Sequence, residues 1–556
     1  MTRLPLFRFA SACLLVLACT APQLARGQDA AAAPAKVDSP DDLAKVFELG
    51  ARLERERRWA DALTHYEDAN RHHPNQPDIV RKLTLARAHY DICRRYSDSS
   101  FATTIDGLTQ QDAIDIYDEV LLKVNTHYVH QPNWQELFNR GRTSLEVALT
   151  EASFIERNLA KLSPQEVASL KQELQRLAGT AVVNDRRRAI DTVFSLATSL
   201  QQKFGLRAPA VILEFTCGAT GSLDDYSSFL TATQMEEVFS QIEGNFVGLG
   251  VELKTEPTGL NIVNVISVGP AFEAGIRPGD RITSVDGKTP KQVSSDALAD
   301  MLRGEEGSQV RVEVLGRDGQ TRSHLITRRR VEVPSVDEIK MVDEEYHIGY
   351  FKITSFQKTT PRDVDAALWK LHEQGMRSLV IDLRGNPGGL LKAAVDVADK
   401  FVMDGMIVAT RGRSPREDFD HKGQVVGTWR VPLVILVDHD SASASEILAG
   451  AIQDHRRGSL VGEKSYGKGS VQGIFPLNSS GVGVRLTTAK WYTPAGQPIT
   501  GNGVTPDVFV RTAAKPAVNS DLAVSANAAP SVPPASTEDA ILRAGLQVAR
   551  ANLSKK

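Results

Sequence analysis

Cysteine is scarce in this sequence: four in 556 residues. Cys13 and Cys19 lie in the N-terminal apolar stretch, leaving Cys93 and Cys217 beyond it. That excludes a disulfide framework, and one Cys93–Cys217 bridge is all an oxidising compartment could add. A charge excess is also missing. With 65 basic and 68 acidic residues, nothing points to a nucleic-acid partner. Metal-ligand spacing is absent, His72-His73 reads as a solvated helix end, and neither metal nor cofactor is expected. The glycine loop Arg384-Gly385-Asn386-Pro387-Gly388-Gly389 lacks the lysine and hydroxyl of a P-loop and the dinucleotide spacing, which removes a nucleotide site. A hydrophobic content of 42% supports an ample soluble core, and the length suggests about three or four domains.

The N-terminus reads as a targeting signal. Arg3 and Arg8 precede the apolar run Phe9 to Ala18, which is too short to cross a bilayer as an anchor. Ala25-Arg26-Gly27 offers a small-x-small cleavage site. Val16-Leu17-Ala18-Cys19 loosely resembles a lipobox, but its leucine beside the alanine is unusual there, so secretion is preferred over a lipid anchor on Cys19.

The chemistry concentrates between Val431 and Gln472. An aliphatic strand, Leu433 to Val437, breaks into the polar turn Asp438 to Asp440. The alternation Ser441, Ser443, Ser445 follows, and then the helical pattern Glu446 to Asp454. Strand-to-helix turns of small residues expose side chains and free backbone N–H groups at one point, where α/β folds place their chemistry. The chain later returns with Gly467-Lys468-Gly469-Ser470-Val471-Gln472. A lysine flanked by glycines can be approached by backbone and buried, and a desolvated lysine can take a proton from a serine. Taken alone, the same residues read as a surface lysine in a glycine turn, and local physics leaves the three serines open.

SASASEI, the spacing to GKGSVQ, and DLRGNPGG together resemble the carboxyl-terminal processing (tail-specific) serine peptidases. The resemblance implies Ser443 as nucleophile, Lys468 as general base and Gln472 as the residue orienting it. It also implies an oxyanion hole from a glycine N–H, Gly388 or Gly389, with the N–H of Ala444. Asp454 could add polar support. The implied fold class is multidomain α+β: an N-terminal tetratricopeptide-like helical region, a PDZ domain, and an α/β serine-lysine core related to the crotonase/ClpP-like architecture.

Along the chain, the expected order begins with a signal over 1–27 and a flexible leader over 28–42. A helical hairpin over 43–100 follows, in which Leu49-Gly50, Ala62, Tyr66, Ala69 and Pro74 sit as in a tetratricopeptide unit. One such unit cannot bury a solenoid core, so it must lean on neighbouring helices or on another chain. A helical region spans 105–222, with a divergent stretch at Asp185 to Cys217 read as an insertion, and a lead-in covers 223–240. Residues 241–330 resemble a PDZ domain: Gly248-Leu249-Gly250-Val251 matches its carboxylate-binding loop, where successive N–H groups form a nest for a chain terminus. The peptidase core covers 331–512, an Ala/Pro-rich linker 513–536 and a terminal helix 537–556.

The resulting expectation is a secreted endopeptidase of the periplasm or cell envelope. Its partners would be proteins with apolar C-terminal tails, with an adaptor on the N-terminal helices. The alternative is a catalytically inactive PDZ/tetratricopeptide scaffold in the envelope. A histidine-based hydrolase using His439 or His455 fits poorly, because neither has an inward geometry toward Ser443.

Overall fold

The structure, a computed structural model, describes residues 13–15, 40–73, 76–256, 259–290, 292–293, 298–299, 301–424, 428–478, 481–511 and 539–554. Residues 28–39 of the expected leader and the linker expected at 513–536 lie outside these residues, while residues 40–42 already belong to the first helix. Of the expected signal only Cys13–Leu15 is described; it forms a short strand, β1.

Among the described residues, ten helices follow β1. The first three, α1 (Pro40–Arg55), α2 (Trp59–His72) and α3 (Pro77–Ser97), follow the hairpin pattern and its continuation. Gly50 allows the first two to close, since a Cβ there would run into the Tyr66 ring. The hairpin leans on the helices behind it: Arg57, His89 and Cys93 all bond Glu151. Those helices are α4 (Ser99–Gly107), α5 (Gln110–His127), α6 (Trp134–Ala148), α7 (Ala152–Asn158), α8 (Pro164–Ala178), α9 (Arg186–Phe204) and α10 (Ala208–Gly221). The stretch Asp185 to Cys217, expected to be an insertion, forms α9 and most of α10. The APAVILEF stretch of α10 is buried on every side, apolar but for Glu214, which pairs with Arg95 at 2.7 Å, and it forms the centre of the helical region against α5, α6 and α9. The two cysteines of this region are free thiols.

A lead-in strand, β2 (Ser228–Leu230), and α11 (Ala232–Glu243) connect to the PDZ domain. There β3 (Asn245–Gly248) pairs with β9 (Arg329–Glu332) as a stem. The strands β4 (Val251–Glu256), β5 (Gly259–Val265), β6 (Arg281–Val285), β7 (Gln309–Leu315) and β8 (Thr321–Thr327) form an antiparallel sheet in that order, with the short helix α12 (Pro270–Glu273) between β5 and β6. Val310, Val312 and Val314 alternate inward along β7, as a half-buried strand requires.

The last region carries two sheets. One runs β10 (Val336–Asp343), β11 (Ile348–Ile353), β12 (Ser378–Asp382), β15 (Leu433–Val437), β16 (Ser459–Gly462) and β19 (Val508–Phe509), parallel except for β10. Alternate residues serve opposite faces. Leu433, Ile435 and Val437 pack under α13 (Thr360–Glu373), α14 (Leu391–Asp399) and α15 (Ala444–Asp454). Val434 and Leu436 pack on the terminal helix α16 (Ala540–Ser554). The other sheet runs β1, β17 (Ser470–Pro476), β18 (Gly483–Tyr492), β13 (Met406–Gly412) and β14 (Phe419–Lys422), with β2 also on β18. The site forms where β15 enters α15 beside the start of β17.

Candidate active site

The turn between β15 and α15 sorts its three serines. Ser441 donates its hydroxyl to Leu383 O at 2.9 Å, and Ser445 donates to Asn386 O at 3.0 Å. Both thereby tie the turn to the glycine loop after β12. Ser443 instead sits at the bend itself, with φ +62°. Such a backbone costs about 1–3 kcal/mol and persists only where the surroundings over-determine it.

The over-determining group is Glu446, fully buried one turn into α15. Its carboxylate accepts from Ser443 N at 2.7 Å, Gly467 N at 2.7 Å, Lys468 N at 2.9 Å and Ser465 Oγ at 2.6 Å. One side chain therefore fastens the serine bend to the lysine loop. Burial pushes its carboxyl up, and the Ser465 hydroxyl and three backbone donors pull it only part of the way back. The loop itself needs glycine: Gly467 has φ +93°, and a Cβ on Gly469 would lie 2.6 Å from Thr500 N.

Lys468 is 2% exposed. Trp491 Nε1 donates to its carbonyl at 3.0 Å, and its Nζ lies 4.5 Å from the centroid of the Tyr226 ring. Gln472 is buried on β17. Its Nε2 donates to Ser470 Oγ at 3.0 Å and Thr487 Oγ1 at 3.4 Å, while its Oε1 is buried with no hydrogen-bond partner among the described residues.

The glycine loop closes the other side. Asn386 organises it, donating Nδ2 to Ile353 O at 2.8 Å and accepting at its carbonyl from Ala442 N at 3.0 Å. A Cβ on Gly388 would lie 2.7 Å from Ser443 Cβ and 2.9 Å from Ala444 N, so only glycine fits beside the serine. Gly388 N donates to Asn386 Oδ1 at 2.8 Å. Of the two glycines left open by sequence, Gly389 is thus the one whose N–H has no partner among the described residues. Arg384 anchors the start of the loop to Asp382 and to Asp539 before α16.

The histidines are occupied elsewhere: His439 faces Glu463 at 3.3 Å and His455 bonds Met406 O at 2.6 Å. Asp454 accepts from Ala495 N at 2.8 Å, bracing the far end of α15 rather than the serine. In the PDZ domain, Leu249 is buried and its carbonyl accepts from Ala271 N at 2.9 Å, while Gly250 has φ +77° and accepts from Ile266 N at 2.9 Å. Gly248 and Val251 flank this pair at the ends of β3 and β4. Sequence reading did not single out Glu446 or Tyr226. For Glu446 the signal existed: a carboxylate three residues after a serine is a capping-box pattern.

Residues 347–510 match peptidase family S41, and residues 247–327 match a PDZ domain. A carboxy-terminal-processing protease of Bartonella bacilliformis is 39% identical over 301 residues, which are 52% of this chain and 67% of that one. The chain belongs to peptidase family S41. As an S41 serine peptidase it is also similar to a carboxyl-terminal-processing protease of Synechocystis sp., 38% identical over 48% of this chain and 62% of the relative. The solved photosystem II D1 C-terminal processing protease is 27% identical, aligned over 72% of this chain and 93% of that one, with a TM-score of 0.37. No helix among the described residues is long and apolar enough to cross a membrane.

Proposed function

We propose that this S41 peptidase is a secreted endopeptidase that captures protein C-terminal tails in its PDZ domain and cleaves nearby through Ser443, Lys468 and Gln472. The observation that carries this reading is the Glu446 carboxylate, which bonds the backbone of Ser443 and of Lys468 at once. Such a tie makes sense where a hydroxyl and an amine must keep one register.

In the reaction, the neutral Lys468 amine takes the Ser443 hydroxyl proton as Oγ attacks the scissile carbonyl carbon. The developing oxyanion is received by the N–H groups of Gly389 and Ala444. The Lys468 ammonium then gives its proton to the departing amine, leaving an acyl-enzyme. Water, deprotonated by Lys468, releases the new C-terminus. The Oε1 of Gln472, without a partner among the described residues, is the acceptor that orients the ammonium when it forms. The loop Gly248-Leu249-Gly250-Val251 receives the tail carboxylate, with the tail adding as a strand. Residues 1–27 act as the signal that delivers the chain to the periplasm or envelope, and the N-terminal hairpin serves as an adaptor surface.

The test is digestion of a folded model protein carrying an apolar C-terminal tail, with products read by mass spectrometry. Wild type should cut it, Ser443→Ala should bind the tail without cutting, and removal of the tail should slow wild-type cleavage. Tail binding with no cleavage by wild type under any condition would establish the scaffold reading instead.

A further inference from the structure

We propose that Tyr226 is a positioning residue for the general base, its ring face holding the Lys468 ammonium that forms when Ser443 is deprotonated. The inference rests on Lys468 being that base.

Tyr226 comes from outside the peptidase core, on the strap between α10 and β2. The strap is pinned along its length. Tyr128 donates its hydroxyl to Leu223 O at 2.6 Å. Asp224 Oδ1 accepts from Tyr226 N and Ser227 N, each at 2.8 Å. Arg485 Nε donates to Tyr226 O at 2.8 Å, and Thr487 N donates to Ser227 Oγ at 3.1 Å. Both backbone groups of Tyr226 are thus committed, which fixes where its ring lies. The ring centroid is 4.5 Å from Lys468 Nζ, within cation–π range, at a lysine only 2% exposed.

An aromatic face attracts an ammonium through the ring quadrupole and has no such preference for a neutral amine. In the reacting enzyme the amine becomes an ammonium as the proton leaves Ser443 Oγ and the oxygen bonds to carbon. The positive charge persists until the leaving amine takes the proton. The contact is therefore strongest in the transition state and the tetrahedral intermediate, the condition for raising kcat rather than tightening substrate binding. Water attack on the acyl-enzyme repeats the cycle, with the proton again passing through Lys468. The strap also gives the helical region a hold on the base. It joins Tyr128 at the end of α5 to Thr487 on β18, whose hydroxyl meets Gln472 at 3.4 Å.

The experiment compares Tyr226→Leu and Tyr226→Phe in the full chain on a tailed peptide, with Lys468→Ala as reference and thermal melting as the folding check. Tyr226→Leu should lower kcat about tenfold or more with KM within about twofold. Tyr226→Phe, which keeps the ring, should recover most of the wild-type rate. Equal losses in Leu and Phe would overturn the proposal, as would an effect confined to KM or a Tyr226→Leu enzyme as fast as wild type beside an inactive Lys468→Ala. If Leu does not fold, Tyr226→Met fills similar space without a ring and carries the same expectation. Cleavage surviving Lys468→Ala would instead refute the base assignment on which this inference stands.

Discussion

Two buried glutamates join separate parts of this molecule, and they do so by different electrostatics. Glu151, 3% exposed, binds His89, Cys93 Sγ at 3.3 Å and Arg57 at 3.3 Å, locking the N-terminal hairpin to the helices behind it. Glu446, 0% exposed, binds three backbone N–H groups and one hydroxyl. Burial pushes both carboxyls up. At Glu151 the bonds from His89 and Cys93 and the nearby charges of His89 and Arg57 outweigh it, and the group lies below the usual carboxylate range. At Glu446 neutral donors do not outweigh it, and the group stays above. Charged partners thus stabilise a fold, whereas neutral backbone donors spend stability to hold a geometry.

The comparison breaks first at Glu446. Glu446→Ala strands three buried N–H groups, each costing about 1–3 kcal/mol, and frees the Ser443 bend. Turnover should fall by about 100-fold or more in steady-state assays, with a lower melting temperature. Gly388→Ala attacks the same geometry from outside the carboxylate. Its Cβ would press on Ser443 Cβ at 2.7 Å, so kcat should fall about 100–1,000-fold, while circular dichroism shows a folded chain and tail binding persists.

Glu151→Gln should do the reverse. It removes a buried charge from its partners at about 2–3 kcal/mol of stability, read by denaturant unfolding, and leaves kcat of the folded enzyme unchanged. The pH dependence separates the two groups further. A lowered folded-state value means that the Glu151 contribution is present above the ordinary carboxyl value and is lost as pH falls through the lowered one. A raised value means that the Glu446 contribution is present below the ordinary value and is lost as pH rises through the raised one. Melting temperatures between about pH 3 and 6 should therefore lose part of their acid sensitivity in Glu151→Gln. The smallest effect is expected at His439→Ala and His455→Ala, whose rings bond Glu463 and Met406. Activity should stay within about threefold of wild type, and a larger loss would revive a histidine mechanism.

Much of this arrangement is legible in the sequence because it is local. The strand Leu433–Val437, the serine turn and the helix after it follow from periodicity and small residues. What is not legible depends on chain segments that meet only in the fold. The Ser-x-x-Glu pattern at Ser443 predicts a helix cap, but the other three bonds of Glu446 come from residues 19 to 22 positions later. Choosing between Gly388 and Gly389 needs the Asn386 side chain. Tyr226 approaches Lys468 from more than two hundred residues upstream. The central packing of α10 is legible in part, since the apolar run Ala208 to Leu213 marks a helix surrounded by others, but the partners of its buried Glu214, Arg95 and Ser144, come from distant helices.

The account's central claim is tested most directly by the acyl-enzyme. Wild type and Lys468→Ala, both folded and both binding a tailed peptide, are mixed with it and quenched, and intact mass is followed over time. The account predicts that wild type gains the acyl mass on Ser443 and turns over. Lys468→Ala should bind the tail equally well yet acylate slower by about 10⁴-fold or more. Acylation of Lys468→Ala at near wild-type rate, or on a residue other than Ser443, would contradict it.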